Sequence, residues 1–367
     1  MGQKKVLFIA PLPPPVHGSA MMSQYIKDSK IINDSFQSDF VNLSTSRKMN
    51  EIGKFSISKI CRFVSAYFIV FWKLLTHRYD ICYLAITCHG VGFLKDMPFV
   101  WLAKLFAKQV VIHQHNKGMS SCVNRWPYKW LLPFTYKNTK VILLSWHLYK
   151  DIAEVVQKEQ ILICPNGIEQ IDDAINADFQ DGVNVPHLLF LSNLIPSKGV
   201  YGLLDACEQL KNKGYQFICA FVGGETKEIS RLDFEVEVKK RSLSNICIYY
   251  GPKYGPDKDS FLKWADLFVF PTFYFNECFP LVILEAMQYQ LPVVTTNEGG
   301  IPDIVENGVT GLVCERKNVE SLANALEQLI LDKERRIQMG QRGFLRYQEK
   351  FTLPVFEQNM AQILRSL

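Results

Sequence analysis

Two glutamates with seven residues between them, Glu277 and Glu285, are the pair in this chain whose spacing best suits chemistry. Pro280 stands between them, and proline is favoured at a helix start because its missing N–H would be unpaired there anyway. A helix that begins near Phe279 or Pro280 leaves Glu277 in the preceding loop and carries Glu285 inside it. The first-turn N–H groups of Leu281 and Val282 then point toward the space beside Glu277, which makes an anion site next to a carboxylate. That combination suits a ligand with both phosphate and hydroxyl groups. Lys198 sits in another strand-to-helix loop, Ser192 to Gly199, where a lysine can meet a diphosphate as a point charge. His113 and His115 alternate at a strand end and so project to one side, which raises a metal pair, but no third ligand is obvious nearby. Asp257-Lys-Asp259 has D-x-D spacing, yet it introduces a helix from Ser260 to Ala265, so capping is the expected role.

Elements must hold these residues. Leu267 to Phe270 is an apolar strand, and Phe279, Leu281, Ile283, Leu284, Ala286 and Met287 make the helix after it apolar nearly all round, hence buried. Leu291 to Thr296 is the next strand, Gly299-Gly300 a tight turn and Pro302 a helix start. Asn307-Gly308 then turns the chain into the strand Gly311 to Cys314. Repeated strand, Gly/Pro loop and helix indicate a parallel sheet with its ligand at the carboxyl ends of the strands. His187 to Leu191, Phe217 to Gly223 and Ile246 to Tyr250 are further strands, with a helix from Val200 to Lys211. Asn318 caps a helix with Leu322, Leu326, Leu329 and Ile330 on one stripe, and Leu353 to Leu367 is amphipathic.

The first half has the same alternation. Lys5 to Ala10 is a strand, Pro11 to Gly18 a loop, and a helix runs from Ser19 to about Lys27. Ile57 to Leu75 is long enough to be weighed as a membrane span, but Arg62 and Lys73 interrupt it, so it reads as a core helix. Phe99 to Lys108 is a helix and Gln109 to His113 a strand; Val141 to Ser145, Leu148 to Val156 and Ile161 to Cys164 follow as strand, helix, strand. The segment Arg125 to Phe134 mixes aromatic and basic residues, a composition that fits either a membrane interface or an ordinary half-buried helix.

The chain's 367 residues, 48% hydrophobic and 21% charged, are enough for two globular cores. Before residue 166 there are 21 Lys and Arg against 9 Asp and Glu, a net of +12; the remainder has 20 against 27, a net of −7. With no nucleic-acid module in the pattern, the basic half points to anionic lipid or an acidic acceptor. Ten scattered cysteines without a C-x-x-C pair read as reduced, buried, cytosolic thiols, and the N-terminus reads as a strand rather than a secretory signal. There is no G-x-G-x-x-G, which argues against a dinucleotide-dependent oxidoreductase.

The strings NECFPLVILEAM and PVVTTNEGGIPDIVENGVTGLV resemble the E-x7-E region of retaining GT-B glycosyltransferases of family 4, the group 1 glycosyl transferases. The likeness covers most of the chain and is densest from about 186 to 315. It implies two Rossmann-like βαβ domains facing across a cleft: residues 1–165, acceptor-side, and 166–350, nucleotide-sugar-binding, with 351–367 a helix crossing back to the first. It implies that Glu277 lies by the donor sugar and that Glu285 bonds the ribose. Lys198 and the backbone from Phe279 and Pro280 to Leu281 and Val282 hold the diphosphate. His115, with His113 as second choice, contacts the sugar, and Gly18 lets the first loop approach donor or acceptor. Gly251 to Tyr254 borders the base. Asn193 stands where the family usually has arginine, Pro280 and Gln290 where glycine is common, and His17 where a second glycine is frequent.

The expected activity is metal-independent transfer of a hexose from a nucleoside-diphosphate sugar, UDP in particular. The acceptor is a glycan or polyprenyl-linked glycan in bacterial polysaccharide synthesis. The expected setting is the cytoplasm, on the inner face of the membrane, with no cofactor and no nucleic acid. Two other readings share the fold: a sugar-nucleotide epimerase, which needs no acceptor, and a membrane-associated protein that binds nucleotide sugar without turnover.

Overall fold

The computed structural model describes residues 2–15, 18–44, 56–171 and 185–367. Residues 172–184, like His17, lie outside the described residues. The chain divides into one unit of Met1–Gly167 with Leu353–Leu367 and another of Ile168–Thr352.

In the first unit, strands β1 (Lys5–Ala10), β2 (Gln37–Asn42), β3 (Ile81–Ala85), β4 (Gln109–Gln114), β5 (Lys140–Leu143) and β6 (Ile161–Ile163) form a parallel sheet in the order β2-β1-β3-β4-β5-β6. The inner strands are runs such as VLFIA and ICYLA because helices cover both faces, so no alternation survives in them. β2, with sequence QSDFVN, escapes a reading by hydrophobicity because it is a half-exposed edge strand. The final helix, Leu353–Ser366, buries Phe356, Met360, Ala361 and Leu364 in this unit, and Arg365 reaches Ser35 Oγ at 2.6 Å.

Three helices here depart from the sequence reading. The core helix expected from Ile57 to Leu75 is Ile57–Thr76, but only Val70 and Leu74 are buried. A helix apolar on several faces gives no wheel signal for which face turns inward, and here most of the apolar surface faces out. The helix expected from Phe99 begins earlier, at Gly90, and runs to Phe106 with Pro98 inside it. Burial of Phe93, Phe99, Val100, Leu102 and Ala103 outweighs the proline's cost. The helix expected from Leu148 to Val156 is instead shortened to Tyr149–Ile152.

The second unit holds β7 (His187–Leu191), β8 (Ile218–Val222), β9 (Cys247–Gly251), β10 (Leu267–Phe270), β11 (Val293–Thr296) and β12 (Gly311–Cys314), all parallel, in the order β12-β11-β10-β7-β8-β9. The order reverses between β7 and β10. In open α/β sheets that reversal opens a crevice at the carboxyl ends of the two strands, where ligands bind. The loops after β7 and β10 carry Lys198 and Glu277.

Candidate active site

The site grows from a backbone contact. Gly199 has φ +93°, and a Cβ there would stand 2.4 Å from the carbonyl oxygen of Pro271, so only glycine lets the two loops lie together. Phe273 N–H donates to Ser197 O at 2.8 Å and fixes the same approach. The residue before Gly199 is thereby brought against the residues after Pro271: Lys198 Nζ donates to Glu277 Oε2 at 2.5 Å. The two side chains are 15% and 9% exposed, so this is a largely buried ion pair. Thr272 Oγ1 lies 3.4 Å from the same carboxylate oxygen, and the Lys198 ammonium stacks on the rings of Tyr274 and Phe270, 4.6 and 5.2 Å from their centroids.

Glu277 is held from behind as well. Gly299, at φ +56°, would place a Cβ 2.2 Å from the Glu277 carbonyl oxygen, and Gly300 N–H donates to Cys278 O at 2.7 Å. The turn after β11 therefore packs on the Glu277 backbone, and Thr296 Oγ1 donates to Thr272 O.

Four residues beyond Glu277 the helix Leu281–Gln288 begins, with Pro280 as its cap. Leu281 and Val282 are its first residues, so their N–H groups have no acceptor in a preceding turn and are the donors available for an anion. Ile283, Leu284, Ala286 and Met287 are buried, and Gln288 is tied by Nε2 to Glu169 O (2.9 Å) and by Oε1 to Ile171 N (3.0 Å), which fixes the helix axis. Phe279 is buried edge-on against Phe351, with centroids 5.8 Å apart, so its ring serves packing. Glu285 stays half-buried, its Oε2 2.9 Å from Lys258 Nζ; the distance makes an ion pair, though the ammonium is not directed at the oxygen as a hydrogen bond requires.

Asn193 is exposed at the end of β7, and its Oδ1 accepts from Gly224 N–H at 3.0 Å, tying the loop after β7 to the loop after β8. In the first unit, Gly18 is the exposed first residue of the helix Gly18–Asp28, and a Cβ there would meet nothing within 4 Å. His113 is buried, its Nδ1 2.6 Å from Tyr83 OH, and its ring centroid is 4.0 Å from that of His115 just past β4. Burial, and then the neighbouring His115, hold His113 well below the usual histidine range, so it is neutral. Among the described residues no third His, Cys, Asp or Glu completes a metal site with these two.

Residues 173–346 match the family described as Glycosyl transferases group 1. That match falls within the second unit and covers a little under half of the chain. The capsular polysaccharide biosynthesis glycosyltransferase CapM of Staphylococcus aureus is 29% identical over 163 residues, 44% of this chain and 41% of that protein. The lipopolysaccharide 1,2-N-acetylglucosaminetransferase of Salmonella typhimurium is 25% identical over 209 residues, 54% of this chain and 55% of that protein. The chain thus matches about half the length of these curated relatives. Among solved structures, Anabaena HepE in complex with UDP aligns with a TM-score of 0.75 at 19% identity, covering 99% of this chain and 100% of that one. Sucrose-phosphate synthase of Thermosynechococcus elongatus aligns at 0.73 and 18%, covering 99% of each chain. At such identities the likeness is one of fold, and the fold is GT-B.

Within the second unit the D-x-D reading needs correction. The helix starts at Pro256, not Ser260, with Gly255 as its cap, so Asp257 and Asp259 lie in its first turn, where carboxylates favour the helix dipole. Between them stands Lys258, the partner of Glu285, which spacing alone did not single out. A second unanticipated cluster is Cys207, Cys219 and Cys247, whose buried thiols lie within 4.8 Å of one another where the helix Val200–Asn212 meets β8 and β9. Cys61 departs from the expectation of buried thiols: it is exposed, and the other nine are buried.

Proposed function

We propose that the chain is a retaining glycosyltransferase that moves a hexose from a nucleoside-diphosphate sugar, UDP-linked, to a glycan or lipid-linked glycan acceptor in bacterial polysaccharide synthesis. The observation that carries this reading is the Lys198–Glu277 pair at the β7/β10 crossover, one cation and one carboxylate side by side at the sheet's ligand-binding edge. A diphosphate there meets Lys198 and the N–H groups of Leu281 and Val282; a sugar offers its hydroxyls to Glu277, and the ribose its hydroxyls to Glu285. Gly18 and His115 are the first unit's residues assigned to substrate. Support also comes from HepE, solved with UDP and with UDP-glucose, and from relatives named for capsule and lipopolysaccharide synthesis.

In the transfer, the bond between C1 of the sugar and the β-phosphate oxygen breaks, its electron pair leaving on the diphosphate. The acceptor hydroxyl oxygen bonds to C1 and gives up its proton. Lys198 and the helix N-terminus offset the charge that grows on the leaving group, and such preorganised donors are worth most where water is excluded. No metal or other cofactor is assigned a part. An acceptor-free epimerase would use the same donor groups, so the product separates the two readings.

A thermal-shift screen of nucleotide sugars is the first test. A ligand present at 100 times its dissociation constant stabilises its domain by ~2.7 kcal/mol. UDP-hexoses are expected to raise the melting temperature, and the rise to vanish in Lys198→Ala. A shift that survives that substitution, or none with any nucleotide sugar, overturns the assignment.

A further inference from the structure

On the first unit, the outward stripe of the helix Ile57–Thr76 consists of Ile57, Ile60, Val64, Phe68, Trp72 and Leu75, three or four residues apart and therefore in line along about five turns. Phe68 is 64% and Trp72 65% exposed, values at which a core residue does not stand. The stripe is not isolated. Phe71 meets Phe106 of the next helix with ring centroids 6.3 Å apart, and that helix leaves Leu105 77% exposed. Across it, Trp101 packs edge-on at 5.3 Å against Phe134 of the helix Tyr128–Tyr136, which leaves Trp130 and Phe134 69% and 60% exposed, with Trp126, just before the helix, 84% exposed. Three neighbouring helices thus present one apolar, aromatic-rich surface, larger than single exposed residues can explain.

Its charge names the occupant. From residue 57 to 137 the sequence contains two acidic residues, Asp80 and Asp96. Asp96 is buried, and Asp80 is paired with Lys108 at 2.7 Å. The basic residues Lys59, Arg62, Lys104, Arg125, Lys129 and Lys137 lie on the same helices or beside them. Lys104 shows the local arrangement: its ammonium donates to Phe134 O at 2.7 Å and lies over that residue's ring. A second copy of this chain would bring two basic surfaces together, whereas anionic headgroups match them, with Trp and Phe seated at the headgroup boundary. No helix among the described residues is long and apolar enough to cross a membrane, so the surface lies on a bilayer rather than through it. We propose that this three-helix face docks the chain on an anionic lipid bilayer, with the helix Ile57–Thr76 in the plane of the interface. The inference does not depend on the reaction assigned above, because binding is read without a sugar donor.

Cys61, on the stripe between Ile57 and Val64, supplies a probe, since the other nine cysteines are buried. The full chain carrying an environment-sensitive dye at Cys61 is mixed with vesicles of phosphatidylcholine alone, or of phosphatidylcholine with one part in three phosphatidylglycerol. Binding is read by flotation and by the dye's blue shift. Binding to the anionic vesicles alone is expected, fading as salt shortens the screening length. Phe68→Ser with Trp72→Ser should weaken partitioning at least about tenfold. Lys129→Glu with Lys137→Glu should weaken it on the order of 10²-fold. Neither pair should shift the melting temperature, because all four side chains are outside the core, and Leu345→Ser on the second unit should leave binding unchanged. The proposal is overturned if neutral and anionic vesicles bind alike, if neither face variant weakens binding, or if no vesicle binds. It is equally overturned if the chain ignores vesicles and sediments as a dimer that Phe68→Ser with Trp72→Ser dissolves, since a second copy then covers the face.

Discussion

Replacing Lys198 by methionine should uncouple stability from turnover in a way a merely structural ion pair would not. The substitution leaves the Glu277 carboxylate 9% exposed, with Thr272 Oγ1 at 3.4 Å as its remaining side-chain donor among the described residues. Removing one partner of a buried pair typically costs about 3–5 kcal/mol, because the other charge stays desolvated. The crossover lies at the open carboxyl edge of the sheet, so the lower end, about 3 kcal/mol, is the expectation. For a unit of this size each kcal/mol moves the melting temperature by roughly 2–4 °C, which predicts a fall of about 6–12 °C. Glu277→Gln should cost less, since Lys198 keeps its contacts with Tyr274 and Phe270, of about 0.5–2 kcal/mol where desolvated. In the double variant no charge is left buried, and stability should return to within about 1 kcal/mol of the parent. Turnover should not return: loss of the cation costs about 10²–10³ in rate with or without Glu277. The assay is a thermal-melt cycle of the four proteins, with UDP release from a UDP-hexose measured on each. Additive melting shifts would refute the coupling; near-parental turnover in a folded Lys198→Met protein would refute the catalytic role.

Gly199→Ala forces a Cβ onto the Pro271 carbonyl at a positive φ, so it should separate the two loops and abolish nucleotide-dependent stabilisation; calorimetric titration with UDP checks this, and unchanged affinity counts against the loop contact as the site's foundation. Turnover should survive EDTA, because Lys198 and a helix N-terminus offset the diphosphate charge; complete loss restored by magnesium or manganese would remove them from that role. Burial pushes the Asp39 carboxyl up, but hydrogen bonds from Tyr79 and Lys73 outweigh it and hold the group below its usual range. Its folded value then lies below the unfolded one, so its stabilisation is whole above about pH 4 and is lost as pH falls through the folded value. Asp39→Asn should melt earlier than the parent at neutral pH and converge with it in acid, and a gap constant over that range would contradict the assignment.

The parallel sheets were legible because short apolar runs bounded by glycine and proline leave few choices. Lys5–Ala10, His187–Leu191, Leu267–Phe270 and Gly311–Cys314 all have the limits expected from sequence. What the sequence concealed has physical reasons. Arg231–Lys240 and Lys333–Lys350 are long helices with mostly polar surfaces, so no apolar period marks them. Ile57–Thr76 has too much apolar surface to reveal which side is outward. At the candidate site, residue types singled out Lys198 and Glu277 separately. Their contact across 79 positions of sequence depends on Gly199 lying against Pro271, a backbone fit with no periodic signature. Lys258 escaped because its flanking aspartates were read as the caps of a helix starting at Ser260, and the tie from Asn193 to Gly224 escaped because it joins two loops far apart in the chain.

The most direct test of the account is to follow a labelled hexose. The chain is incubated with UDP-hexose, labelled in the sugar, and with a membrane extract of lipid-linked glycans, and the product is analysed by mass spectrometry and by the anomeric coupling in its NMR spectrum. The account predicts one UDP released per hexose transferred, dependence on added acceptor, and a linkage of the same anomeric configuration as the donor. An inverted linkage, an epimerised nucleotide sugar formed without acceptor, or nucleotide bound and never turned over would contradict it.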